Sequence, residues 1–218
     1  MQWDDIGYLL SKNKYNENSI IAEFYTERHG KCSGIIFGGT SKKIKNYLEI
    51  GNSLHINYNY KQEGRLGYFK VEVLKVNTPF YFEDKKKLFS IISAMNLVKL
   101  LTVDFQENTK IYNLINDYFL IINQNDWVKK YIFWELKLLE YVGFNLELNK
   151  IVKTEGSGSS KKYFVITNST KKFIPNFLLD TDQVELSNAI LFEGLKLVGD
   201  FLEKTILKPN NINYPNSR

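Results

Sequence analysis

Between Lys12 and Lys45 the chain sets seven basic residues, Lys12, Lys14, Arg28, Lys31, Lys42, Lys43 and Lys45, against three acidic ones, Glu17, Glu23 and Glu27. The cations stand at the ends of apolar runs, and the last three follow the turn Gly38-Gly39-Thr40-Ser41. Cations on turns, with glycines that let another backbone come close, are suited to neutralising the phosphates of a polyanion. Lysines at strand ends are also ordinary solvated turn residues, so type and spacing leave both readings open. Only Arg28, Arg65 and Arg218 are arginines. Lysine meets a phosphate as a point charge and does not read bases bidentately. Nucleic acid held this way would be gripped with little regard to sequence.

Catalytic chemistry finds no comparable constellation. His29 and His55 are the only histidines; His55 falls on the polar face of an alternating run and His29 in a Glu-Arg-His-Gly turn. General-base work needs an oriented partner that neither position suggests. Gly38-Gly39-Thr40-Ser41-Lys42 lacks the spacing of a phosphate loop. Cys32, the single cysteine, lies in an apolar run and reads as a buried small residue. Glu135 and Glu140 are five apart and share no helix face. No cofactor and no metal are expected, and the chain reads as a non-enzyme. Aromatic rings flank the basic turns, with Tyr15, Tyr25 and Tyr47 the expected exposed platforms for bases.

The elements that position these residues change at Pro79. With 218 residues, 44% apolar and 15% aromatic, the chain is long enough and greasy enough to bury a core. Residues 1–78 carry 11 basic and 8 acidic side chains, 79–150 carry 9 of each, and 151–175 carry 5 against 1. Leu54, Ile56, Tyr58 and Tyr60 alternate with polar residues, as do Phe69, Val71 and Val73; earlier, Ile20, Ala22 and Phe24 alternate with Ile21, Glu23 and Tyr25. With Ile6–Ser11 and Lys31–Phe37 this predicts five strands in residues 1–78, an α+β chain whose first domain is a small OB-fold barrel, an SH3-like barrel being the other option. Residues 79–218 predict a helical bundle. Leu88, Ile91, Ile92, Met95, Val98 and Leu101 share one face, and Ile111, Leu114, Ile115, Tyr118 and Ile122 another. A third helix, capped by Asp126, carries Trp127, Tyr131, Trp134, Leu138 and Tyr141 and stops at Gly143. A fourth runs from about Asp182, with Glu185 completing a capping box, to Lys204. A basic hairpin or loop at about 148–177 interrupts the bundle, holding Lys153, Lys161, Lys162, Lys171 and Lys172. No stretch approaches the roughly 20 apolar residues of a membrane span, and the acidic start resembles no signal peptide, so a cytoplasmic location is expected.

Four stretches in this order resemble the RecO family of bacterial recombination and repair proteins. Tyr15-x-Glu17-x-Ser19-Ile20-Ile21 resembles its turn into the second strand, and Phe24-Tyr25-Thr26-Glu27-x-x-Gly30-Lys31 its Phe-Thr-x-x-x-Gly-Arg/Lys. Gly38-Gly39-Thr40-Ser41-Lys42-Lys43, followed by Leu48-Glu49-x-Gly51, resembles its glycine turn and the Leu-Gln-Pro step after it. Trp134-Glu135-Leu136-x-Leu138-Leu139-x-x-x-Gly143-Phe144 resembles its Phe-Glu-Leu-x-Leu-Leu-x-x-x-Gly-Phe/Tyr. The resemblance implies an OB-fold, a helical domain, and ATP-independent binding of single- and double-stranded DNA with annealing of complementary strands. It further implies partnership with RecR and docking on the acidic C-terminal tail of single-strand-binding protein, so that RecA is loaded. Three departures accompany it. Many members carry four zinc-holding cysteines after the Gly-Phe, and none lies between Leu146 and Phe177 here, so that role does not carry over. Thr40 stands where the family often has Arg. Phe133 stands where some members place an Arg that receives the acidic tail, leaving Lys129, Lys130 or Lys137 to do so.

The expected DNA contacts are therefore Lys12, Lys14, Arg28, Lys31, Lys42, Lys43 and Lys45. The expected tail pocket has Trp134, Leu138 and Tyr141 as its apolar wall and Lys130 or Lys137 as its cation. The rival reading is a protein-interaction adaptor whose barrel lysines serve only solubility.

Overall fold

A computed structural model describes residues 2–60, 66–157, 161–167, 170–180 and 186–213. Five strands, β1 (Gln2–Lys14), β2 (Ser19–Thr26), β3 (Gly30–Phe37), β4 (Ser53–Asn59) and β5 (Gly67–Lys75), close into a barrel in the order β1-β2-β3-β5-β4. All neighbours are antiparallel except β3 and β5, which run parallel through Gly34–Gly67 and Ile35–Tyr68. This is the OB-fold arrangement that the strand spacing predicts. β1 is longer than the expected Ile6–Ser11 because it serves two partners. Gln2–Tyr8 pairs with β4 and Gly7–Lys14 with β2, the second pairing being irregular between Leu9 and Ser11.

Period-two alternation builds the barrel interior. Ile20, Ala22 and Phe24 of β2, Cys32 and Ile36 of β3, and Leu54, Ile56 and Tyr58 of β4 pack there with Leu9, Leu48 and Phe69. On β5 the alternation outruns the barrel: Phe69 is buried, Val71 packs at the margin, and Val73 is exposed. Burial pushes the Cys32 thiol well above its ordinary range, aided by Asp5 and Asp104 nearby, so the residue is an inert core group.

The chain divides into two compact units between Leu120 and Ile121. The first holds the barrel, a short helix α1 (Lys42–Lys45), helix α2 (Lys85–Leu101) and nearly all of α3 (Thr109–Ile121). Asp84 caps α2 by accepting from the Lys87 amide at 3.1 Å. Ile91, Met95 and Val98 of α2 and Ile111, Leu114, Ile115 and Tyr118 of α3 are buried, as their helical spacing predicts. Tyr8, stacked on Phe119 and bonded to Asn116, ties β1 to α3, and burial raises its phenol to about 12.

The second unit contains α4 (Trp127–Tyr141), α5 (Leu148–Ile151), a three-stranded antiparallel sheet and α6 (Asn188–Leu202). Asp126 occupies the cap position of α4, but its carboxylate pairs with Lys130 at 3.0 Å rather than accepting from the helix amides. Gly143 ends the segment with φ of 92°, and Phe144 N–H reaches back to the Leu139 carbonyl at 2.8 Å. The expected basic hairpin is a full sheet in the order β6-β7-β8, made of β6 (Lys153–Glu155), β7 (Lys162–Thr167) and β8 (Thr170–Ile174). The fourth helix starts at Asn188, where the Ser187 hydroxyl accepts from the Ile190 amide. The expected start at Asp182 and Glu185 lies outside the described residues. Among the described residues no helix is long and apolar enough to cross a membrane.

Candidate nucleic-acid interface

The seven expected cations divide between opposite ends of the barrel. β2 runs eight residues from Ser19 to Thr26, so its ends stand about 23 Å apart at a rise of ~3.3 Å per residue. Lys12, Lys14, Lys42, Lys43 and Lys45 belong to the Ser19 end, Arg28 and Lys31 to the Thr26 end.

At the first end the glycine turn sets the geometry. Gly38 sits at φ of 71°, a conformation that L side chains rarely adopt, and turns the chain away from β3. At Gly39 a Cβ would come within 2.7 Å of Ile20. The turn therefore lies flat on the barrel and delivers α1, which consists of Lys42-Lys43-Ile44-Lys45. Ile44 packs inward on the barrel core, and the three lysines are left exposed. Lys14 is exposed beside them, and none of these four makes an ion pair with the described residues. A hollow of about 400 Å³ runs between them, lined by Lys12, Lys14, Lys45, Gly39 and Thr40, with Glu17 also on its wall. Lys12 is committed elsewhere, to Glu49 at 2.9 Å and the Leu48 carbonyl.

The other end is built differently. Asp5, its side chain wholly buried, accepts from the Arg28 and Ile6 amides and faces His29 Nδ1 at 2.7 Å. Burial pushes the Asp5 carboxyl up, but these bonds outweigh it and hold the acid below its ordinary range. Arg28 lies against the same carboxylate at 3.4 Å and donates to the Asp4 carbonyl. Lys31 is only 13% exposed and joins β3 to α2, donating to the Lys99 carbonyl at 2.9 Å and pairing with Asp104 at 3.1 Å. The structure thus assembles Lys14, Lys42, Lys43 and Lys45 on one exposed surface, engages Lys31 and Lys12 within the fold, and holds the exposed Arg28 against Asp5.

The rings are redistributed as well. Tyr15 is exposed as expected, but Tyr25 is buried. Tyr25 points out of the barrel, and its hydroxyl reaches the Asn108 carbonyl at 3.3 Å, so neighbouring chain covers it. Tyr47 is half-buried and donates to the Val71 carbonyl. Two unanticipated phenyls take their place. Phe37, 62% exposed, ends β3 opposite Ser19. Phe82 lines a second hollow of about 540 Å³ with Thr40, Lys42, Lys45 and Glu49. Strand parity would have found Phe37, because Cys32, Gly34 and Ile36 face inward and odd positions outward. Lys85 and Lys86, exposed at the start of α2, were legible as a lysine run three residues after Phe82.

In the second unit, Trp134 and Leu138 are core residues, which corrects their expected role as the wall of an open pocket. Helical spacing marks a buried face, and here that face is wholly packed. Tyr141 is half-buried with Lys137 Nζ 5.1 Å from its ring centre, and Lys130 pairs with Asp126. Lys137 instead borders a hollow of about 490 Å³ lined by Phe133, Leu136, Leu178, Leu179 and Lys150. Among the described residues no group of three or more His, Cys, Asp or Glu is arranged to hold a metal.

Comparison with known proteins bears on both units. Residues 1–77 match the family described as Recombination protein O N terminal, and residues 83–211 match Recombination protein O C terminal. The chain is 27% identical to the DNA repair protein RecO of Wolbachia pipientis subsp. Culex pipiens (strain wPip), over all of this chain and 97% of that protein. It is 25% identical to the RecO of Rhodopseudomonas palustris over all of this chain and 93% of the relative. With the RecO of Rickettsia africae identity is 30%, over 69% of this chain and 63% of that protein.

Proposed function

The chain belongs to the RecO family of DNA repair and recombination proteins, and we propose that it acts there without catalysis. In this reading it binds single- and double-stranded DNA, anneals complementary strands, and works with RecR to load RecA on strands covered by single-strand-binding protein. One observation carries the DNA reading: Lys14, Lys42, Lys43 and Lys45 stand exposed and without ion pairs among the described residues, around a flat glycine turn and beside exposed Tyr15, Phe37 and Phe82. Lysines there neutralise phosphates on either kind of DNA, and the rings accept bases of a single strand. A strand held by its backbone keeps its pairing edges open, which is what annealing requires.

For the acidic tail of single-strand-binding protein, the hollow beside Phe133, Leu136, Leu178 and Leu179 replaces the expected Trp134–Leu138 wall. Lys137 and Lys150 supply its cations, each now paired with a glutamate, Glu140 at 3.0 Å and Glu147 at 2.7 Å. A tail ending in aspartates and one apolar residue would exchange for those glutamates and bury its last side chain. The test of the whole reading is annealing of two complementary labelled oligonucleotides by the pure protein in chelator and without nucleotide. Acceleration supports the reading. No acceleration at any protein concentration, with the oligonucleotides unbound, would favour the adaptor instead.

A further inference from the structure

The sheet β6–β8 has one committed face and one free face. Register places Tyr163 opposite Ile174 and Val165 opposite Lys172. Ile174 on this side is buried, and Lys172 reaches Asp200 of α6 at 2.7 Å. The other side carries Phe164 opposite Phe173, Ile166 opposite Lys171, and Lys153 and Glu155 opposite Phe164 and Lys162. Here Phe173 is 55% and Ile166 56% exposed. The phenyl rings lie 6.5 Å apart at 64°, and Lys171 Nζ stands 4.1 Å from one ring centre and 5.2 Å from the other. Lys162 Nζ is 6.0 Å from Phe173.

We propose that this face is a second nucleic-acid site, which takes single-stranded DNA by stacking bases on Phe173 and Phe164 while Lys153 and Lys162 meet its phosphates. The inference deepens the DNA-binding reading above and rests on it for the class of ligand. Residues 151–175 carry five lysines and one acid, and that acid, Glu155, is itself paired with Lys171. Lysines alone at a small sheet would serve to discourage edge pairing. They do not explain why two phenyls and an isoleucine share the same outward face. A ligand that satisfies both must alternate an anion with a flat apolar plate, and a nucleotide repeat does so with every base. An acidic peptide without apolar side chains would pair the ammonium groups and leave the rings in water. A site in each compact unit would let one protein hold two strands, which annealing needs.

Photocrosslinking of the full chain to a single-stranded oligonucleotide carrying 5-iododeoxyuridine, followed by peptide mapping, tests this. Crosslinks to Phe164 or Phe173 are expected, and they should persist when Lys42, Lys43 and Lys45 are all replaced by Ala. The exposed substitution Phe173→Ala should weaken oligonucleotide binding by that barrel variant about tenfold, the scale of one lost base stack. Lys153→Glu with Lys162→Glu should do the same through charge, without touching the rings. Crosslinks confined to the barrel would overturn the second site and leave the barrel reading intact. If no oligonucleotide crosslinks anywhere, both readings fall together. Binding of an aspartate-rich peptide that Phe173→Ala abolishes, with DNA binding unaltered, would give the face to a protein partner and overturn the proposal.

Discussion

The two ends of the barrel use the same residue types for different work. At the Ser19 end, Lys14 and the three lysines of α1 meet no carboxylate among the described residues, and the adjoining rings of Tyr15, Phe37 and Phe82 are exposed. At the Thr26 end both expected cations have a structural partner: Arg28 has Asp5, and Lys31 has Asp104 and the carbonyl of Lys99. A basic residue near a turn is therefore not a functional residue by type. What decides is whether the fold brings a carboxylate or carbonyl to it, because a cation so engaged must give up that partner before it can meet a phosphate.

The largest effect that separates the ends is one of stability. Asp5→Ala removes the buried acceptor shared by the amides of Ile6 and Arg28 and by His29, and should cost about 3 kcal/mol in urea unfolding. The same carboxylate sets an acid limit. Its folded pKa lies below its ordinary value, so its contribution is present above that value and fades as pH falls through the folded one. Thermal melts from pH 6 downward should show a loss below about pH 4 that Asp5→Asn lacks. A variant that melted in parallel with the parent would remove Asp5 as the organiser of that end.

Smaller in size, Lys31→Ala should destabilise by about 1–2 kcal/mol, because the Lys99 carbonyl loses its donor, and should leave DNA affinity at low salt nearly unchanged. A tenfold loss of affinity with no change in stability would reverse the assignment of that end. On the free end, Phe37→Ala should weaken binding of single strands by about fivefold and of duplex hardly at all, since only unpaired bases can stack. Equal losses on both would mean that the ring acts through folding rather than stacking. Leu136→Glu should abolish binding of an aspartate-rich, apolar-ended peptide in calorimetry if the hollow beside Lys137 receives it, with oligonucleotide binding kept.

Much of this architecture is legible in the sequence. Period-two alternation marks β2, β4 and the start of β5, because each has one face on the barrel core and one outside it. Lys31 was not legible as structural, since its partner Asp104 lies far along the chain and no local pattern joins them. Tyr25 failed for a related reason: parity puts it outside the barrel, and only the fold supplies the chain that covers it. Trp134 and Leu138 show the limit of helical periodicity, which finds the buried stripe but does not say whether any of it is open. Of the small sheet, expected as a hairpin, the strand β6 escaped because it is three residues long and exposed throughout, leaving no alternation to read.

The central claim is that the barrel's lysines at the Ser19 end, and not its other cations, hold the DNA backbone. Fluorescence anisotropy of a labelled single strand across a salt series tests it, comparing Lys42→Ala/Lys43→Ala/Lys45→Ala with Arg28→Ala. Each contacted phosphate contributes about −0.7 to the log–log slope on single strands, so the triple variant should flatten it by roughly 2 units while Arg28→Ala leaves it as it was. A slope unchanged in the triple variant, or flattened by Arg28→Ala instead, would contradict the account.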